Sequence, residues 1–240
     1  MARPRKQVKL YDLHEVMSVA VAVYDHQGFI KSGDGYVNFS TDMWVSDNKT
    51  LVYKLLEEDI AELPPITITE GHRQSATGII DYFNSKLVMQ KLEGTLSKFD
   101  EKILQVMSVI DGITVSQISL VASMPNSYNV SIKRDEMEEF YNSKRHTSLY
   151  VGTVGKRSQH ILHIVDVKFI ASQNIHMVTA LESENNLVKF WWNKDPDISD
   201  LLIGKTLEVT AFVKLHSISR FSNCPETVIN RVVIKDITEK

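Results

Sequence analysis

Apolar positions follow two different habits along the chain. Up to residue 122 they recur every three or four positions or run together, and from residue 158 they alternate singly with polar ones. The first habit belongs to helices packed on a core, the second to strands with one buried face. Met17 to Tyr24 reads as a buried helix segment. His26 to Tyr36, with Gly28, Gly33 and Gly35, reads as a turn region, and Asn48-Lys49-Thr50 opens a helix through Leu51, Leu55 and Leu56. Glu57 to Ile68 interrupts the pattern, since Pro64-Pro65 cannot lie inside a helix. Thr69-Glu70 then opens a helix through Ala76, Ile79, Ile80, Phe83 and Leu87. Ser97 is placed to cap another, through Phe99, Ile103, Leu104, Met107 and Ile110, ended by Asp111-Gly112. Thr114 to Ala122 predicts one more helix, stopped at Met124-Pro125.

Five alternating segments follow, at 158–170, 175–182, 187–193, 206–216 and 227–235, each rich in Val, Ile, Thr or aromatics and bounded by turn residues. Ser183-Glu184-Asn185-Asn186 has the composition of a hairpin loop, and Lys194 to Lys205, with Pro196 and Gly204, is a longer insertion with room for a helical turn. Five strands with that insertion between the third and fourth predict an OB-fold, a Greek-key barrel that binds oligonucleotides on one face and two loops. The expected class is α+β. A mainly helical region, 1–147, with a sub-boundary near 57–68, precedes an OB-fold domain at 148–240.

Alternation assigns faces. In the fourth segment Leu207, Val209, Ala211, Val213 and Leu215 point to a core, leaving Phe212, Lys214 and His216 outside. In the third, Val188, Phe190 and Trp192 point inward and Lys189 and Trp191 outward, although Phe190 and Trp192 exchange roles with Trp191 if the register slips. Rings beside cations suit single-stranded nucleic acid, whose bases stack on aromatics while phosphates pair with Lys and Arg. The bland alternative is one core Trp with a partly covered neighbour among ordinary solvated charges. Arg220 and Phe221 repeat the chemistry in the loop before the fifth strand, and Arg231 lies on that strand. Lys144, Arg145 and His146 enter the barrel near Lys156 and Arg157, and these five line one end of the groove if the chain folds back. Phe29, Lys31 and Tyr36 are candidates to extend the surface.

The segments Tyr150-Val151-Gly152-x-x-Gly155-x-Arg157, Lys189-Phe190-Trp191-Trp192, Val213-Lys214-x-His216 and Thr227-x-x-x-Arg231-Val232 resemble the C-terminal OB domain of a bacteriophage replication-associated family. The stretch from Ala122 to Asp135, with Met124-Pro125, Ser127-Tyr128 and Lys133-Arg134, is similar to the linker of those proteins. The likeness covers roughly the C-terminal half and implies single-stranded DNA binding. The closing Asp236-Ile237-Thr238-Glu239-Lys240 lacks the acidic tail by which bacterial single-strand binding proteins recruit partners. Recruitment of that kind is not expected.

Composition adds limits. At 43% hydrophobic and 24% charged residues, the chain is an ordinary globular protein rather than a disordered one. A net charge of -3 does not advertise a nucleic-acid partner, so attraction must come from a local basic groove and depend on salt. The single cysteine, Cys224, permits no internal disulfide and fits a reducing cytoplasm, the host's if the protein is phage-encoded. Residues 1–9 are basic and read as a solvated terminus. No run approaches the roughly 18 apolar residues of a membrane helix. No phosphate loop, dinucleotide fingerprint, zinc-protease motif or nucleophile elbow occurs, so a binding protein without catalysis or cofactor is expected. His160, His163 and His176 do not suggest a metal, because the first two face opposite sides of one strand. Asp195 and Asp197 flank a proline as turn formers. The expected partner is single-stranded DNA, with RNA and replication proteins open. The rival is a protein-interaction module whose aromatics form the hot spot.

Overall fold

The computed structural model describes residues 9–40, 42–59, 63–182, 185–193, 203–219 and 223–238. The chain divides into two compact units, 1–133 and 134–240. Among the described residues no helix is long and apolar enough to cross a membrane.

The first unit is built round a helix with no solvent face over its middle. After β1 (Leu10–Tyr11), α1 (Leu13–Gln27) buries every residue from Val16 to Val23. Small and branched apolar side chains make that feasible on all sides of a helix, and the one hydroxyl, Ser18, donates to His14 O at 2.7 Å. Asp12 caps the helix by accepting from Glu15 N, and Gly28 ends it at φ 75°. Then β2 (Tyr36–Asn38) and β3 (Met43–Val45) form a short antiparallel hairpin just after the expected turn region, between it and the next helix, where no strand was expected. Its strands are brief and largely exposed, so no alternation announces them.

Helix α2 (Asn48–Leu56) is capped by Asp47, α3 (Glu70–Glu93) by a capping box of Thr69 and His72, and α4 (Lys98–Met107) by Ser97 as expected. Ala76, Ile79, Phe83 and Leu87 are the buried stripe of α3. β4 (Ile113–Thr114) pairs back with β1, and α5 (Val115–Lys144) follows. The expected stop at Met124-Pro125 is overturned, for α5 runs straight through Pro125. A proline costs a helix one hydrogen bond and a steric clash. Here Ile118, Val121, Ala122 and Met124 are buried on the first unit's core, and that packing outweighs the local penalty. The unit division at 133/134 falls within this helix.

The second unit is a closed five-stranded barrel. Its strands are β5 (Arg157–Ile170), β6 (Ile175–Glu182), β7 (Leu187–Trp192), β8 (Thr206–Ile218) and β9 (Pro225–Thr238), in the order β5-β6-β7-β9-β8. All neighbours are antiparallel except β7 and β9, which run parallel. The interior holds Leu162, Ile164, Val178, Ala180, Val188, Phe190, Leu207, Val209, Ala211, Val213, Ile229 and Val232, so period-two alternation fills it from every strand. Of the β6–β7 hairpin loop, Asn185 takes φ 67°, as a turn residue can, while Ser183 and Glu184 lie outside the described residues. So do Arg220, Phe221, Asp195, Asp197 and most of the Lys194–Lys205 insertion.

Bulges modify the alternation. Val213 pairs with Ile229 but Leu215 with Val228, so Lys214 is the extra residue of a bulge. Beyond it the faces no longer follow the count, which is why Leu215, expected in the core, is 37% exposed. Thr210 and Phe212 oppose Val233 and Asn230, so on β9 Arg231 and Val232 together face the single residue Ala211 and one of them is extra, with Arg231 at φ 51°.

The end of α5 that belongs to this unit lies over the barrel. Tyr141 Oη is 3.4 Å from Thr179 Oγ1 on β6, and Cys224 Sγ donates to Tyr141 O at 3.1 Å.

Candidate nucleic-acid interface

The parallel ladder between β7 and β9 is short. It joins Leu187, Val188 and Lys189 to Glu226, Thr227 and Val228, and no pairing continues it among the described residues. Where the two strands part, a cleft of about 320 Å³ opens, lined by Arg157, Trp191, Trp192, Asn193, Arg231, Val232 and Val233. Trp191 is 44% exposed there. The β9 bulge turns Arg231 so that its guanidinium lies 5.7 Å from the centroid of the Phe212 ring, and Arg157 pairs in register with Phe212 on the other side. Among the described residues neither arginine enters an ion pair and no carboxylate lines the cleft. Four of the expected residues therefore meet at one place: Arg157, Trp191, Phe212 and Arg231. An exposed Trp191 ring in a cleft also lined by Arg157 and Arg231 can stack a flat ligand and bind its anionic group.

Lys189 requires a correction. It was expected to face solvent beside Trp191, but it is only 7% exposed and its Nζ donates to Glu226 Oε2 at 2.8 Å. Opposite it in register is Thr179, also buried, which meets Tyr141 of α5. The outward side of this stretch is thus covered by a helix, and Glu226 supplies the buried ammonium with its partner while accepting Ser217 Oγ at 3.1 Å.

The remaining candidates stand apart from the cleft lining. His216 stacks on Tyr150 with ring centroids 4.6 Å apart and planes 5° apart, and its Nε2 donates to Val151 O at 3.2 Å. Lys214 is exposed on its bulge and Lys156 on the turn before β5. The loop carrying Lys156 is tied to β8 by Gly155 N to Val213 O and Val213 N to Lys156 O, both 2.9 Å. It comes so close that a Cβ on Gly152, already at φ 69°, would meet Val213 Cγ2 at 2.9 Å. Lys144 lies over Phe140 at 5.8 Å, and Arg145 and His146 are exposed just beyond α5. The expected grouping of Lys144, Arg145, His146, Lys156 and Arg157 along the groove is not formed, since Arg157 alone reaches the cleft lining.

His160 is buried, with Nε2 2.8 Å from Ser158 Oγ and no partner at Nδ1 among the described residues. Burial pushes its pKa below the ordinary 6.5, against a smaller opposing pull from Glu182. No group of His, Cys, Asp and Glu able to hold a metal occurs among the described residues. Sequence reasoning missed Asn193, the Tyr150–His216 stack and the Glu226 partnership of Lys189, because each depends on a cross-strand neighbour.

No family model, no curated protein and no solved structure matches this chain.

Proposed function

We propose that residues 134–240 form an OB-fold domain that binds single-stranded nucleic acid, in the first place DNA, in the cleft between β7 and β9. The strand order, with its one parallel contact, supports the OB assignment. The carrying observation is Trp191, open to solvent in a cleft whose charged lining groups, among the described residues, are Arg157 and Arg231. A base stacks on Trp191 and on the Phe212–Arg231 pair while the two guanidinium groups take adjacent phosphates. The covered face at Lys189 takes no part. A role as a phage-type replication or recombination accessory rests on the resemblance of the Tyr150–Arg157, Lys189–Trp192 and Val213–His216 segments.

The test is fluorescence anisotropy of a labelled single-stranded oligonucleotide over a range of salt concentrations. Two phosphate contacts predict a slope of log K against log salt of about -1.4. Trp191→Ala should weaken binding by about 1–3 kcal/mol. No binding at low salt sinks the reading and leaves Trp191 as the anchor of a protein interface, where affinity changes little with salt.

A further inference from the structure

The first unit carries a second concavity that the barrel reading does not use. It measures about 520 Å³, within the range of small-molecule sites. Its floor is apolar, formed by Val106, Leu120 and Ala122, and two partly exposed rings, Phe29 and Phe99, stand in its wall. Lys31, Lys49 and Lys102 reach it from three separate elements: the loop after α1, the start of α2, and α4. Among the described residues none of the three enters an ion pair and no carboxylate is in the lining. Ser116, Gln117, Ser119 and Ser123 of the α5 segment bring donors and acceptors.

The wall bearing Phe29 and Lys31 is held in shape. Asn48, 1% exposed, accepts Ile30 N at 2.8 Å and Gln27 Nε2 at 3.2 Å, and donates to Gly28 O at 2.9 Å. A buried amide satisfied on both its oxygen and its nitrogen fixes a loop that would otherwise be free. Asn48 N also donates to Ile30 O at 3.2 Å, and Asp34 N to Lys31 O at 2.9 Å, so the turn is closed on both sides.

We propose that this pocket binds a nucleoside phosphate, its base lying along Phe29 and Phe99 and its phosphates meeting Lys31, Lys49 and Lys102. Three lysines in one lining, with no acid among its described residues, select an anion, and rings over an apolar floor select a flat moiety attached to it. The serine and glutamine side chains reach the polar edges of base and sugar. The source is either a free nucleotide or the phosphorylated end of a strand. The site is independent of the barrel cleft.

The test uses the full-length chain and a fluorescent ATP derivative, followed by anisotropy. The probe should bind; Lys49→Glu and Lys102→Glu, both at exposed positions, should each weaken it about tenfold or more. Phe99→Ala should weaken it too, whereas Arg231→Ala should not. In a Trp191→Ala background, displacement by a 5′-phosphorylated oligonucleotide but not by its unphosphorylated twin identifies a strand end as the ligand. Displacement by ATP alone identifies a free nucleotide. Absence of binding at millimolar probe, binding unchanged by both lysine reversals, or pyrophosphate competing as well as ATP overturns the assignment.

Discussion

Lys189 and Trp191 are two residues apart on β7 and belong to the same face of the strand, yet they live in opposite surroundings. Lys189 lies under the end of α5 and is locked to Glu226, while Trp191 stands open where β7 leaves β9. Alternation assigns both to the outside, and the strand's own geometry obeys. What separates them is the next layer: a helix covers one and a gap between strands exposes the other. An outward position on a barrel is therefore only a candidate surface until its cover is known.

The largest expected effect breaks the covered half of that pair. Glu226→Ala would leave the Lys189 ammonium buried without its carboxylate, which should cost about 3–5 kcal/mol in urea unfolding. Replacing both, with Lys189→Met and Glu226→Leu, should recover most of that loss, because the pair's desolvation disappears with it. If the single change proves harmless, Lys189 reaches water and belongs with the open surface after all. The open half should behave inversely. Trp191→Ala should leave stability within about 0.5 kcal/mol, as exposed changes usually do, while removing about 1–3 kcal/mol of oligonucleotide binding.

A smaller effect sharpens the boundary of the cleft. Arg231→Ala should weaken oligonucleotide binding and reduce the magnitude of the salt slope by about 0.7. Lys214→Ala, at an exposed bulge residue outside the cleft lining, should leave that slope unchanged in the same titration. Equal losses from the two would mean that the strand runs along β8 as well as through the cleft.

The same contrast explains what the sequence could reveal. Strand positions in the barrel were legible to within three residues, the widest miss being the far end of β9 at Thr238, because every strand has one face in a common core and period two records it. Ser97 was legible as a cap because capping is local chemistry. The passage of α5 through Pro125 was not, since packing of Val121, Ala122 and Met124 decides it from outside the segment. Leu215 was misread because a bulge at Lys214 shifts the count, and nothing within that strand marks it. Of the site, Trp191, Phe212, Arg157 and Arg231 were legible as residue types but not as a group. Their meeting depends on a β9 bulge and on the early end of a parallel ladder.

The smallest prediction concerns another buried polar side chain of the barrel, His160. Lys189 meets a carboxylate in its covered position, while His160, equally enclosed, meets the Ser158 hydroxyl at one nitrogen and, among the described residues, no partner at the other. Burial therefore holds the folded-state pKa of His160 below the 6.5 expected of the unfolded chain. Below that value the unfolded state binds the proton more readily, so the contribution is present above the unfolded pKa and lost as pH falls through the folded one. Urea midpoints should drop between about pH 7.5 and about pH 5.5, and His160→Gln should flatten that drop without moving the midpoint's response to Glu226→Ala. An unchanged pH response in the variant would place the titrating group elsewhere, and would mean that the enclosed His160 position tolerates a charge.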